Sequence, residues 1–169
     1  MRSLTFLSLL YASVLAAGAA AASDARFQAP DGPAPRVAVA LGPDLQDKAE
    51  DIGQRDLDRL TGRLQREVEQ ALARDGGDVV SARLVLVDAR PNRPTFEQVA
   101  SRPGLDAFRS VSIGGARIEG EVTTADGVTR PVSYDWYSSN LADVRGFGVW
   151  DDADRAIDRF ARRLADGRN

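Results

Sequence analysis

The chain has no histidine, no cysteine and one lysine, Lys48. Without histidine it lacks the usual general base, the usual activator of a nucleophile and the commonest metal ligand. Without cysteine it has neither thiolate chemistry nor a soft-metal site, and no disulfide. It also lacks a phosphate-cradling G-x-x-x-x-G-K motif; GG at 76–77 and 114–115 and GFG at 146–148 read as turn signals. Charge of either sign is not in large excess: 22 Lys+Arg against 25 Asp+Glu gives −3, with no reason to expect a nucleic acid as partner. With one lysine, nearly every cation is a planar, permanently charged guanidinium.

The one long uncharged run lies at the N-terminus. Met1-Arg2-Ser3 is followed by Leu4–Ala17 and then by the small, alanine-rich Gly18–Ala22. A basic start, an apolar run too short to span a bilayer and an A-x-A site describe a secretory signal peptide, with cleavage expected before Ser23 and Ser23-Asp24-Ala25 as a second site. The expected product is exported, to the periplasm first and to the extracellular space as the alternative, and lacks a transmembrane span after processing. Losing Arg2 takes the net charge from −3 to −4, and 147 residues remain. A chain of that length buries roughly 68–70% of its unfolded surface, enough for one core without disulfides. Residues 23–35, with three prolines, read as a flexible tether, and 36–169 as one domain.

Periodicity then sets the expected elements. Arg36–Leu41 is a short apolar strand and 44–52 a polar connection. Leu57, Leu60, Leu64, Val68, Ala71 and Leu72 make a helical stripe over about 54–74, with Asp51 and Gln54 as a capping-box variant, Arg63–Glu67 as an i,i+4 pair and Gly76-Gly77 as the stop. Val79–Ala89 is a second strand, parallel to the first across the helix. Two arms around an Asp126-Gly127 turn make a hairpin; Val128, Val132, Tyr134 and Trp136 share one face, and Pro131 favours an edge position or a bulge. A last helix over 152–166 carries Ala153, Ala156, Ile157, Phe160, Ala161 and Leu164, with Asp151, Asp152 and Asp154 at its start and an Asp158–Arg162 pair. The expected fold is α+β, a two-layer sandwich: a short mixed sheet with two helices on one face, in the order β-α-β-(excursion)-β-β-α.

The excursion is RPNRPTFEQVASRPGLDAFRS, residues 90–110. Thr95 with Gln98 is a capping-box variant, so 96–101 should form a helical turn or two with Phe96 and Val99 inward. Pro91, Pro94 and Pro103 stiffen it. Arg90, Arg93, Arg102 and Arg109 are then candidate ligand contacts for carboxylates or phosphates, together with Tyr137, which faces away from the core side of its strand. The opposing reading has these arginines satisfying local carbonyls and pairing with Glu97 and Asp106. Among carboxylates, Glu119, Glu121 and Asp135 on the outer hairpin face offer a weak case for glycoside hydrolysis, against the ordinary solvated face of an antiparallel hairpin. The acidic 151–154 cluster lacks the pattern of a calcium loop.

PNRPTFEQVASRPGLD at 91–106, IGGARIEGEV at 113–122, the D-G hairpin, YDWY at 134–137 and DRFARRLAD at 158–166 together resemble uncharacterised, domain-of-unknown-function proteins of the bacterial cell envelope. The element order is similar to small α/β domains of envelope assembly factors, such as the TolB N-terminal domain and curli-secretion lipoproteins. That family brings no known activity; the missing catalytic chemistry, a strand edge open for pairing and the stiff, arginine-bearing excursion lead to the expectation of a non-catalytic accessory protein without cofactor that binds another envelope protein through the excursion. A binder of anionic glycan or lipid headgroups through the same arginines is the alternative. Many such proteins carry a lipidated cysteine; this chain has none.

Overall fold

The computed structural model describes residues 36–75, 78–144 and 146–167. The expected signal peptide, tether and Gly76-Gly77 stop lie outside the described residues. The chain is mixed α/β, with a four-stranded mixed sheet and five α-helices among the described residues. Strand β1 is Val37–Leu41, β2 Val79–Arg90, β3 Gly115–Thr124 and β4 Thr129–Tyr137, lying in the order β1-β2-β3-β4. β1 runs parallel to β2, and the other pairs are antiparallel. Between β1 and β2 come α1 (Pro43–Asp47), α2 (Ala49–Ile52) and α3 (Gln54–Asp75); α4 (Phe96–Ser101) stands in the excursion and α5 (Asp151–Ala165) closes the chain.

The helical stripes perform as the spacing requires. Leu57, Leu60, Leu64, Val68 and Leu72 of α3 and Ala153, Ala156, Ile157, Phe160 and Leu164 of α5 are buried in one cluster with Val37, Leu84, Leu86, Ile118 and Val122 of the sheet. At ~25 cal/mol per Å² of apolar surface, this shared burial is the main source of stability. Arg59 and Arg63 of α3 reach across to Asp154 and Asp158 of α5. Arg63 also pairs with Glu67, as expected, whereas Asp158 pairs with Arg63 and not with Arg162.

Three local expectations are corrected. Residues 44–52 are not a plain connection: two short helices bury Leu45 and Ile52, the apolar residues hidden in a polar-looking run. Asp51 lies inside α2 and does not cap α3. The hairpin turns on three residues, because Gly127 N–H bonds to Thr124 O and Thr124 N–H to Val128 O; only Gly127 needs the left-handed region (φ +83°), and Val128 is exposed in this turn. Pro131 does sit on an edge strand, where its missing N–H is harmless.

β2 carries a register shift between Leu86 and Asp88. The extra residue, Val87, breaks the alternation, so Ala89 is buried in the core while Asp88 and Arg90 emerge on the sheet's other face. That bulge prepares one edge of the site described next.

Candidate functional site

The excursion is tied at its base through a buried carboxylate. Asp152, fully buried in the first turn of α5, accepts from Asn92 Nδ2 (2.6 Å), Ser138 Oγ (2.7 Å) and Arg155 Nη1 (3.0 Å), while its own N–H donates to Asn92 Oδ1 (2.8 Å). Asn92 closes the loop neck as well: its N–H donates to Val149 O (2.7 Å) and its carbonyl accepts from Ser112 N–H (2.9 Å). Gly114 is required there, since a Cβ would stand 2.6 Å from the Asn92 side chain. Charge-assisted bonds of this kind, removed from water, are the strong ones.

The tip has its own anchor. Thr95 and Gln98 form both halves of a capping box at the start of α4, which spans the six residues the sequence indicates. Gln98 Nε2 donates to Asp51 Oδ2 (3.1 Å), and Arg102 makes an ion pair with the same carboxylate. Asp106 caps the turn after α4, accepting the N–H groups of Arg109 (2.9 Å) and Phe108 (2.7 Å), which hold its carboxyl below the usual carboxylate range. Within the segment only the polar Asn92 and Thr95 are buried, and polar bonds rather than apolar burial order it: α4 itself has no buried residue.

That last fact overturns one expectation. Phe96 does not point inward; it is 82% exposed, and Val99 is half-buried, because six residues give a helix too short to bury a face while Gln98 and Arg102 dock on Asp51. Phe108 is 87% exposed and Phe147, from the β4–α5 loop, 90% exposed. Arg93 joins the two loops, donating to Phe108 O (2.5 Å) while its guanidinium lies 5.6 Å from the centre of the Phe147 ring.

Three of the four arginines proposed as ligand contacts are engaged within the chain. Arg93 spans the loops, Arg102 pairs with Asp51, and Arg90 Nε pairs with Asp88 Oδ2 at 3.0 Å. Arg109 alone has an exposed side chain with no partner among the described residues. The expected pairing of these arginines with Glu97 and Asp106 does not occur. Arg90 and Tyr137 do come together: the guanidinium lies 4.7 Å from the ring centre, and Tyr137 Oη donates to Asp88 Oδ2 (2.8 Å). Burial first, then that bond, push the Tyr137 hydroxyl far above its ordinary value, so it stays protonated.

These groups line a cleft of about 540 Å³ on the sheet's outer face, with Asp44, Lys48, Arg117, Ser133 and Asp135. Of the carboxylates weighed for hydrolysis, Asp135 lines this cleft and Glu119 and Glu121 do not, and each has a different setting. Glu119 is held by Arg117, Glu121 by Arg83, and Asp135 is exposed opposite Arg117 in the ladder. Among the described residues no group of three His, Cys, Asp or Glu side chains is placed to hold a metal ion. No helix of the described residues is long and apolar enough to cross a membrane.

The aromatic residues between 134 and 150 divide between core and surface. Val132 is buried, Tyr134 and Trp136 pack against the core, and Trp150 is buried with Nε1 donating to Asp56 (3.0 Å). Arg163 and Arg159 cover the Tyr134 and Trp136 rings at 5.4 and 4.2 Å. Sequence reasoning missed Asn92, Ser138 and Asp152, the polar core of the neck. Asp152 looked like one of three helix-dipole acids, and no local signal links it to an asparagine 60 residues earlier. Compared with known proteins, the chain matches no family model, no curated protein and no solved structure.

Proposed function

We propose that this chain is a non-catalytic accessory protein of the cell envelope, exported by its N-terminal leader, that binds another envelope protein through the 90–110 excursion. The single observation that carries this reading is the pair Phe108 and Phe147, almost wholly exposed yet bridged by Arg93 above a neck fastened to Asp152. Holding large apolar rings in water gains the folded chain nothing; holding them still lowers the entropy cost of docking. In this reading the body is a two-layer sandwich whose helices leave the excursion free to meet a partner. Arg93 serves to position the rings and Arg102 to dock α4 on Asp51, and of the excursion's arginines Arg109 is left to meet a charge on the partner.

The second reading, recognition of anionic glycan or lipid headgroups, draws support from Arg109 and from the cleft beside Arg90 and Tyr137. Two arms separate them. Recovery of partners from envelope extract is expected to fall at least tenfold with Phe108→Ala/Phe147→Ala and little with Arg109→Ala. Binding to vesicles containing anionic lipid, if present, would be lost with Arg109→Ala and with salt. Equal recovery by wild type and the double phenylalanine variant contradicts the proposal.

A further inference from the structure

The far edge of the sheet is open. β4 pairs with β3 alone. The bonds Thr124 N–H to Val128 O and Ser138 N–H to Gly114 O set the antiparallel alternation: Arg130, Val132, Tyr134 and Trp136 turn their backbone groups to β3. Ser133, Asp135 and Tyr137 turn theirs outward, and among the described residues nothing bonds to these six groups. Ser133 and Asp135 are exposed, and Pro131, with no N–H to offer, ends the free run. The opposite edge is a poorer template. β1 is five residues long, Val37 and Ala40 are buried, and Leu41 O already accepts from Gln46 (2.7 Å).

We infer that the β4 edge accepts one further strand from another protein, an extended segment with a basic side chain opposite Asp135 and apolar residues on either side of it. Backbone groups at Ser133, Asp135 and Tyr137 supply the ladder. Charge chooses the occupant. Asp135 is exposed and has no ion pair within 4 Å: Arg117, opposite it in the ladder, is bonded to Glu119 and meets the Asp135 charge only at longer range. A cation directly across the new pair is favoured and a carboxylate disfavoured. The same rule disfavours a second copy: the two-fold pairing that uses all six groups is centred on Asp135 and sets its carboxylate against itself. On the sheet's other face the half-buried Tyr134 and Trp136 lie beside the positions flanking the basic one, where apolar side chains extend their contact.

This site is separate from the excursion, and its test is read separately. The probe is a blocked nonapeptide alternating threonine and valine with lysine at position five; a second peptide has glutamate there. The lysine peptide is expected to slow hydrogen exchange of the Ser133, Asp135 and Tyr137 amides at least tenfold, and to bind at least tenfold more tightly than the glutamate peptide. Asp135→Lys should reverse that preference, and Asp135→Asn, the milder change, should abolish it. Phe108→Ala/Phe147→Ala should bind both peptides as wild type does, so failure here says nothing of the excursion. Unchanged exchange at the three amides with millimolar peptide, or equal binding of the two peptides, overturns the inference.

Discussion

Asp152 shows how one side chain can decide a surface it never reaches. Its carboxylate is fully buried, yet it holds Asn92, and Asn92 holds the neck from which Arg93, α4 and Phe108 are presented. Replacing Asp152 with alanine leaves the Ser138 hydroxyl and one N–H of the Asn92 amide without an acceptor, the amide keeping its bond to Ser112 O (3.3 Å). Unsatisfied buried donors cost about 1–3 kcal/mol each, so Asp152→Ala is expected to lower stability by about 2–4 kcal/mol in urea unfolding. A loss below about 1 kcal/mol would show that water replaces the carboxylate freely. Asp106 gives a pH-dependent counterpart. Its folded-state pKa lies below the ordinary 3.8, so the cap is intact above that value and is lost as pH falls through the lower folded one. In an NMR titration the Phe108 and Arg109 amides are expected to move together with a midpoint below 3.8, and Asp106→Asn to remove the transition.

At the scale of elements, α4 and the long helices are held by different forces. α3 and α5 bury apolar stripes; α4 has no fully buried residue and rests on its capping box, with Thr95 buried, and on Asp51. Thr95→Ala is therefore expected to cost about 1 kcal/mol locally and to speed exchange of the Val99 and Arg102 amides about fivefold. Urea unfolding of the whole chain should be unchanged; a matching global loss would mean that α4 folds as part of the core. This division also explains what the sequence made legible. Stripes at three-four spacing, the parallel β1–β2 pair, the α4 cap and the edge position of Pro131 follow from local pattern and were readable. α1 and α2 were not, because single buried residues, Leu45 and Ile52, leave no periodicity. Nor was the β2 bulge, which turns Asp88 and Arg90 outward toward Tyr137 and depends on a partner strand thirty residues away.

For the whole molecule, the site residues were legible as types and hidden as arrangement. Composition pointed to guanidinium groups on a proline-stiffened loop. Three of the four proposed contacts turn back to Asp88, Asp51 and the loops' own backbone and ring, because an acidic chain offers carboxylates nearby. What reaches outward is Phe96, Phe108 and Phe147, and tertiary docking alone decides that those rings stay in water. The proposed role needs this segment to be held in place before any partner arrives. Hydrogen exchange of the isolated protein over residues 92–112 tests that most directly. The Asn92 and Ser112 amides, bonded at 2.7 and 2.9 Å, are expected to exchange at least a hundredfold more slowly than in a free peptide, and those of Val99 and Ser110 to show clear protection. Exchange at the free-peptide rate throughout the segment would contradict the account.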